Sequence, residues 1–145
     1  MAGPTESSPR AVLERLHRAL NDHDLEAFLT CFDPDYDSEQ PAHPNRRFRG
    51  REQVRTNWSA LFSGIPDFGA ELLRSAVEGD TAWAEWHWTG TQAGGTRLDE
   101  WGVTLFGVRD GRIAWGRLYM EEVEAGGAAI DEVVQQMREG DGPQR

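Results

Sequence analysis

Residues 82–91 read AWAEWHWTGT, and this stretch decides the fold. Large and small side chains alternate along it, which is typical of a β-strand whose successive residues point to opposite faces of a sheet. The two faces would carry Ala82, Ala84, Trp86 and Trp88 on one side and Trp83, Glu85, His87 and Thr89 on the other. Because both faces are bulky, we predict that one lines a pocket and the other meets a partner subunit.

The composition narrows the class of protein. The chain has 145 residues, a length typical of one domain, which we expect to span 1–145. Its formal net charge of −10 disfavours nucleic acids and anionic membranes as partners, because phosphate groups bind basic surfaces. No apolar run approaches the roughly 18 residues of a membrane span, and the first ten residues lack a signal-peptide core. We therefore expect a soluble, cytoplasmic protein without membrane contacts.

Cofactor and metal motifs are absent from the sequence. Cys31 is the single cysteine, which excludes a disulfide framework and a cysteine-ligated metal cluster. The chain has no phosphate-binding loop, no dinucleotide fingerprint, no zinc-ligand spacing and no Ser–His–Asp order. We expect neither a metal nor an organic cofactor, and we interpret Cys31 as a buried structural thiol.

The spacing of apolar residues changes from a helical to a strand period along the chain. Helical spacing predicts helices over 9–21, 24–32 and 51–63, with a short strand at 35–40. Alternation then predicts strands over 68–77, 81–91, 97–108 and 112–123, joined by tight turns. A fourth helix is predicted over 128–138. Helices followed by an antiparallel meander of strands indicate the α+β class.

Turn and strand-end motifs occur in a distinctive order within the core, 9–124. They are Pro66-Asp67, Glu78-Gly79-Asp80, Gly90-Thr91, Asp110-Gly111-Arg112-Ile113 and Leu118-Tyr119-Met120-Glu121. In this order the chain resembles the NTF2-like superfamily, and within it the SnoaL-like polyketide cyclase branch. The resemblance implies a cone, in which three N-terminal helices pack on a strongly curved antiparallel sheet that encloses a pocket.

The resemblance also implies a range of activities. Relatives include aldol-type cyclases, ketosteroid isomerases, epoxide hydrolases and dehydratases, which commonly need no metal or organic cofactor, and others only bind ligands. We expect a cofactor-independent cyclase of secondary metabolism that closes a ring in a small hydrophobic, polyketide-like substrate, by an aldol-type or a cycloaddition-type route. Dehydration, isomerisation, epoxide opening and ligand binding without catalysis remain the alternatives.

Strand parity and the family register assign side chains to the pocket. The expected pocket residues are Asp37, His43, Trp58, Trp86, Trp88, Thr104, Leu118 and Met120. The three tryptophans would form the wall, since large flat rings suit an apolar ligand. His43, in the loop after the first strand, could reach the pocket mouth and pair with Glu39, but simple exposure of this loop histidine is the favoured interpretation.

Three carboxylates, Glu100, Glu39 and Glu121, are the candidate catalytic groups. Glu100 would lie among apolar side chains, where desolvation raises the pKa of a carboxyl into a range that suits acid–base catalysis; exposure at the strand end is the alternative. Glu39 lies where SnoaL-like relatives tend to carry histidine. Glu121 resembles the acid–base aspartate at the end of that family's last strand, although parity turns it outward.

The opposite sheet face is predicted to be too aromatic to remain in contact with water. Its main members are Trp83, His87, Trp101, Trp115, Arg117 and Tyr119. We expect a homodimer that forms through this face, sheet against sheet. A one-residue bulge would move His87 to the pocket side instead.

Overall fold

The computed structural model describes residues 6–140, and its elements follow the predicted order. The helices are α1 (Pro9–Asp22), α2 (Leu25–Thr30), α3 (Arg51–Gly64) and α4 (Ile130–Arg138). The strands are β1 (Phe32–Glu39), β2 (Phe48–Arg49), β3 (Gly69–Glu78), β4 (Thr81–Thr91), β5 (Arg97–Arg109) and β6 (Arg112–Glu122). The strands form one curved, unclosed sheet, which confirms the predicted α+β class and the NTF2-like architecture.

Helix α1 begins at a cap that the sequence encodes. The Ser8 hydroxyl accepts a hydrogen bond from the Ala11 amide at 3.1 Å, and Pro9 occupies the first helical turn. Its apolar stripe is fully buried and consists of Val12, Leu13, Leu16, Ala19 and Leu20. Since this stripe packs against β3, β4 and β5, α1 lies across the inner face of the sheet.

The strand order is β2-β1-β6-β5-β4-β3. Strands β3 to β6 form the predicted antiparallel meander. Strand β1 lies parallel to β6, and the two-residue β2 pairs with β1 in the antiparallel sense. Neither pairing follows from the local pattern, because both depend on how distant parts of the chain meet.

The first strand begins earlier than the sequence predicts. The sequence predicts a helix to residue 32 and a strand from residue 35, but β1 already starts at Phe32 and contains Pro34. Pro34 is exposed and lies in an irregular stretch between the pairings of Phe32 and Asp37 with β6. Its missing amide hydrogen therefore costs no ladder hydrogen bond.

Strands β5 and β6 approach very closely at Gly102. A Cβ atom there would lie 2.0 Å from the backbone oxygen of Tyr119 and 2.8 Å from the Cα atom of Met120. Only glycine allows this contact. Gly102 lies between Glu100 and Thr104 on the same strand, so the close approach helps to place both side chains.

Helix α4 is the last described element. It begins two residues later than predicted, and its apolar stripe is exposed at Ile130, Val134 and Met137. None of the helices within residues 6–140 is both long enough and apolar enough to cross a membrane.

Candidate active site

An aromatic cavity of about 200 Å³ lies between the helices and the inner face of the sheet. Its aromatic lining consists of Phe28, Phe32, Tyr36, Phe48, Trp58, Trp86, Trp88 and Phe106. Five of the expected pocket residues lie in this lining, namely Trp58, Trp86, Trp88, Thr104 and Leu118. The residues of β4, β5 and β6 that were expected to face inward at these positions therefore do face the cavity.

Trp86 is the largest fully buried side chain of the protein, with 1 % of its surface exposed. Its indole Nε1–H donates to the Thr104 hydroxyl at 2.9 Å. The two residues lie on neighbouring strands, where Ala84 is the direct partner of Thr104. The Thr104 hydroxyl oxygen therefore already accepts a hydrogen bond from a side chain of the cavity wall.

A second hollow of about 690 Å³, here named the acidic cleft, adjoins the cavity. Its lining is His43, Arg46, Glu100, Met120, Glu121, Glu122, Val123 and Glu124. Two contacts join the hollows. Trp88 of the cavity is the register partner of Glu100 of the cleft, on the neighbouring strand. Gln40 of the cavity accepts a 3.0 Å hydrogen bond from Arg46 of the cleft. His43 and Met120 therefore line the cleft and not the cavity.

Glu100 is partly buried at the rim between the two hollows. Burial of its carboxyl raises the pKa of Glu100 above its ordinary value, and the negative charges of Glu122 and Glu121 raise it further, while Arg46 lowers it. The raised pKa of Glu100 agrees with the desolvation that the sequence predicts for this carboxyl. The raised pKa increases the protonated fraction near neutral pH, as acid–base catalysis requires.

Two of the expected inward residues, Asp37 and Glu39, point away from the cavity. The residues of β1 that line it are Tyr36 and Ser38, whereas Asp37 is the register partner of the outward Trp115. The assignment of Asp37 and Glu39 to the pocket is therefore wrong, because the inward positions of β1 are shifted by one residue from those expected. The aromatic side chain of Tyr36 between the charged Asp35 and Asp37 was the signal for the correct face.

Asp37 instead belongs to a surface ion pair at the edge of the sheet. Its Oδ2 atom accepts a hydrogen bond from Arg47 at 3.1 Å and lies 3.6 Å from Nη2 of Arg49. The hydrogen bond from Arg47 lowers the pKa of Asp37, so the carboxylate stays charged. Glu39 lies opposite Arg117 on β6, which faces outward as predicted.

His43 pairs with Glu121 and not with Glu39, which was the alternative to simple exposure. His43 Nε2 lies 3.0 Å from Oε2 and 3.3 Å from Oε1 of Glu121. Glu121 is the register partner of Trp101 and so belongs to the outer side of the sheet, as parity predicts. Because Glu121 lies at the end of its strand, its carboxylate nevertheless reaches the cleft. A histidine–carboxylate pair thus lies in the cleft that also contains Glu100.

Tyr36 also lines the cavity, although it was not among the pocket residues expected from the sequence. Burial raises the pKa of Tyr36 to about 12, so the phenol keeps its proton at neutral pH. Its hydroxyl lies against Gly116 of β6, where a Cβ atom would come within 2.4 Å of that oxygen. Glycine at position 116 therefore makes room for the tyrosine.

The outer face of the sheet carries four large aromatic side chains that are exposed by 36–45 %. They are Trp83, Trp101, Trp115 and Tyr119. His87 lies on this face and not in the cavity: it stacks on Trp101 with ring centres 4.4 Å apart, and its Nε2 lies 2.6 Å from Oδ1 of Asp99. No bulge moves His87 inward, because its pairing with Trp101 continues the regular register of β4 and β5.

The described residues offer no preformed metal centre. Within 6–140, no group of three or more histidine, cysteine, aspartate or glutamate side chains is placed to hold an ion. Cys31 is fully buried, and burial raises the pKa of its thiol. The thiol packs in the core, as the sequence predicts.

Comparison with known proteins decides the family. The sequence pattern of the SnoaL-like domain matches residues 13–115. The chain belongs to the SnoaL-like domain family. No curated protein matches this SnoaL-like chain.

Solved structures share this SnoaL-like fold. TsrD from Streptomyces laurentii is 25 % identical with a TM-score of 0.68, and the match covers 82 % of this chain and 92 % of that one. A Jannaschia sp. CCS1 protein named as a SnoaL-like polyketide cyclase is 23 % identical with a TM-score of 0.68, covering 83 % and 92 %. An epoxide hydrolase of the LEH-like type from M. tuberculosis is 21 % identical with a TM-score of 0.68, covering 78 % and 82 %.

Proposed function

We propose that this SnoaL-like protein is a cofactor-independent cyclase of secondary metabolism. It would close a ring in a small, hydrophobic polyketide-like substrate held in the aromatic cavity. The observation that carries the proposal is Glu100, a partly buried carboxyl of raised pKa at the rim of a cavity walled by aromatic rings. Family membership supports it, because neighbours of this fold are named as polyketide cyclase, epoxide hydrolase and isomerase.

The carboxylate of Glu100 would start an aldol-type closure. It takes a proton from the carbon next to one substrate carbonyl, and the resulting enolate carbon attacks a second carbonyl of the same molecule. A carbon–carbon bond forms, and the new alkoxide receives a proton from the Glu100 carboxylic acid, so the product is an isomer of the substrate. Trp58 and Trp88 would hold the chain folded, and such orientation lowers a barrier by roughly 7–11 kcal/mol at best.

The size of the cavity restricts the substrate. A volume of about 200 Å³ is below the roughly 300–1,000 Å³ of typical ligand pockets. A longer substrate would therefore extend past Glu100 into the acidic cleft. There the pair of His43 and Glu121 would be the second acid–base group.

The direct test is conversion of linear, uncharged polyketones by the purified protein. Ring closure is expected as a product of unchanged mass, or as one lighter by one water, detected by mass spectrometry and identified by NMR. If a panel of chain lengths gives no product above the rate without protein, the cyclase proposal is wrong.

Ligand binding without catalysis is the second candidate. One observation favours it: Glu100 lines the cleft and is not part of the lining of the aromatic cavity. Saturable quenching of the tryptophan fluorescence by uncharged apolar ligands, without any product, would support this alternative over the cyclase.

We also propose that the protein forms a homodimer through the outer face of the sheet. Exposed Trp83, Trp101, Trp115 and Tyr119 form an apolar surface that association would remove from water. Arg117, stacked over Trp115 at 5.9 Å, would lie within the same interface.

The expected result for Trp83→Glu is a shift from dimer to monomer in sedimentation velocity at micromolar concentration. A buried, unpaired carboxylate in an interface is strongly unfavourable. Ile130→Glu on α4, where the side chain is 73 % exposed, is the matched control and should remain a dimer. A wild-type protein that is monomeric at high micromolar concentration would contradict the proposed interface.

A further inference from the structure

Two carboxamide side chains line the aromatic cavity, and the orientation of one of them is fixed. They belong to Gln40, directly after β1, and to Asn57 on α3. Oε1 of Gln40 accepts a hydrogen bond from Arg46 at 3.0 Å. Because a guanidinium group can only donate, the oxygen of this amide and not its nitrogen must face Arg46. Asn57 pairs with another carboxamide, Gln53, and such a contact can form in either sense.

The nitrogen of the Gln40 amide is an accessible donor without an acceptor. Within residues 6–140, no hydrogen bond involves Nε2 of this half-buried side chain. The fully buried side-chain atoms that lack a partner in the same part of the chain are Oδ1 of Asp37 and Nε1 of Trp88. Since Nε2 of Gln40 is not among them, it keeps accessible surface, and an atom of a ligand can reach it.

The fold turns this donor toward the cavity. Tyr36, Ser38 and Gln40 alternate along β1 and its end, and all three line the cavity. Arg46 lines the acidic cleft and is not part of the cavity lining. The oxygen of the Gln40 amide therefore points toward the cleft. The nitrogen, on the other branch of the planar amide, lies on the side of the cavity.

The charges around this donor restrict the acceptor that it can bind. Every residue that lines the cavity in the described part of the chain is uncharged. In the adjoining cleft, the four carboxylates outnumber Arg46 and repel carboxylate and phosphate groups of a ligand. A neutral oxygen acceptor on an otherwise apolar molecule, such as a carbonyl, therefore matches the N–H group of Gln40.

We propose that the side-chain N–H of Gln40 donates a hydrogen bond to a carbonyl oxygen of an uncharged ligand, at the junction of the cavity and the acidic cleft. Gln40 is then a specificity-determining residue for carbonyl compounds, and Arg46 is a positioning residue that fixes the orientation of the amide. This inference rests on the proposed function only in that the cavity must bind an apolar ligand; it does not require that the ligand be converted.

The test compares benzylacetone with butylbenzene, two elongated molecules that differ by a carbonyl group in place of a methylene group. Their dissociation constants are measured from the shifts of the tryptophan indole signals in ¹⁵N–¹H spectra. Gln40→Met removes the donor and keeps the length of the side chain. It should lower the affinity for benzylacetone relative to butylbenzene about fivefold, the factor expected of one hydrogen bond.

Two further variants separate the donor from its support. Arg46→Met lets the amide turn between two orientations, so it should lower the same affinity ratio about twofold, because half of the molecules then present the N–H. Gln92→Met, the same chemical change in the turn after β4 and outside both hollows, is the matched control and should leave the ratio unchanged. A loss of the ratio in Asn57→Leu and not in Gln40→Met would overturn the inference.

A second measurement does not depend on the folding of any variant. In spectra of the wild-type protein, assigned by triple-resonance methods, a side-chain amide proton of Gln40 should shift downfield with benzylacetone and not with butylbenzene. An unchanged affinity ratio in Gln40→Met, or no such shift, would overturn this inference and leave the cyclase proposal intact. Binding of neither molecule would contradict both the inference and the assignment of the cavity as a ligand site.

Discussion

Glu100→Gln is expected to lower kcat of the ring closure by about 100-fold or more, the usual effect of removing a general acid–base group. The amide keeps the shape of the side chain but cannot accept and return the substrate proton. KM should change little, because Glu100 lines the rim and not the wall of the cavity. The measurement is steady-state kinetics on the polyketone that the wild-type protein converts.

The pH dependence follows from the raised pKa of Glu100. As a general base the group acts as the carboxylate, so kcat/KM should rise with pH through a pKa above the ordinary carboxyl value. The folded state binds the proton more tightly than the unfolded state does. Stability therefore falls as pH rises from the unfolded pKa to the folded one. Glu100→Gln should consequently raise the Tm at neutral pH, and this difference should vanish in acid.

Glu39→Gln is the matched control, since it makes the same chemical change on the same sheet at a residue that points away from the cavity. It should leave kcat within about twofold of the wild-type value. Equal losses in both variants would show that general charge, and not a placed carboxyl at Glu100, supports the reaction.

Trp86→Ala is expected to destabilise the fold by about 3–5 kcal/mol, the range for large-to-small changes at fully buried aromatic positions. The change removes the packing of the ring against its neighbours and leaves the Thr104 hydroxyl without its donor. Urea unfolding followed by circular dichroism gives the free energy of unfolding directly.

Trp83→Ala provides the comparison on the opposite face of the same strand. Trp83 is 44 % exposed, so the free energy of unfolding of a monomer should fall by less than about 1 kcal/mol. If Trp83→Ala cost as much as Trp86→Ala under conditions where the protein is monomeric, the assignment of the two faces of β4 would be inverted.

Much of the fold was predictable because its elements are locally encoded. The alternation in 82–91 predicted β4 with its bounds, and the spacing of apolar residues predicted α1 and α3 to within one residue. The cap at Ser8 and the capping of α2 by Asp24 depend on neighbouring residues alone. Such features need no knowledge of distant contacts.

The candidate site was predictable only where its strands are long and regular. Trp86, Trp88, Thr104 and Leu118 reached the cavity as expected, because β4, β5 and the central part of β6 keep an unbroken register there. Asp37 and Glu39 were assigned to the wrong face, and Tyr36 was not identified as a pocket residue. Strand β1 is short, starts irregularly and pairs with a strand about 80 residues later in the chain, so its parity is fixed by that pairing.

The sequence by itself determined how the side chains of β4 divide between two faces, since alternation along a strand is a property of the backbone. The tertiary structure alone decided that Glu100 lies between an aromatic cavity and an acidic cleft, that His43 pairs with Glu121, and that the indole N–H of Trp88 has no hydrogen-bond partner within residues 6–140. These relations join separate strands and loops. They arise only when the sheet curves around the helices, because short-range pattern carries no information about which distant groups then meet.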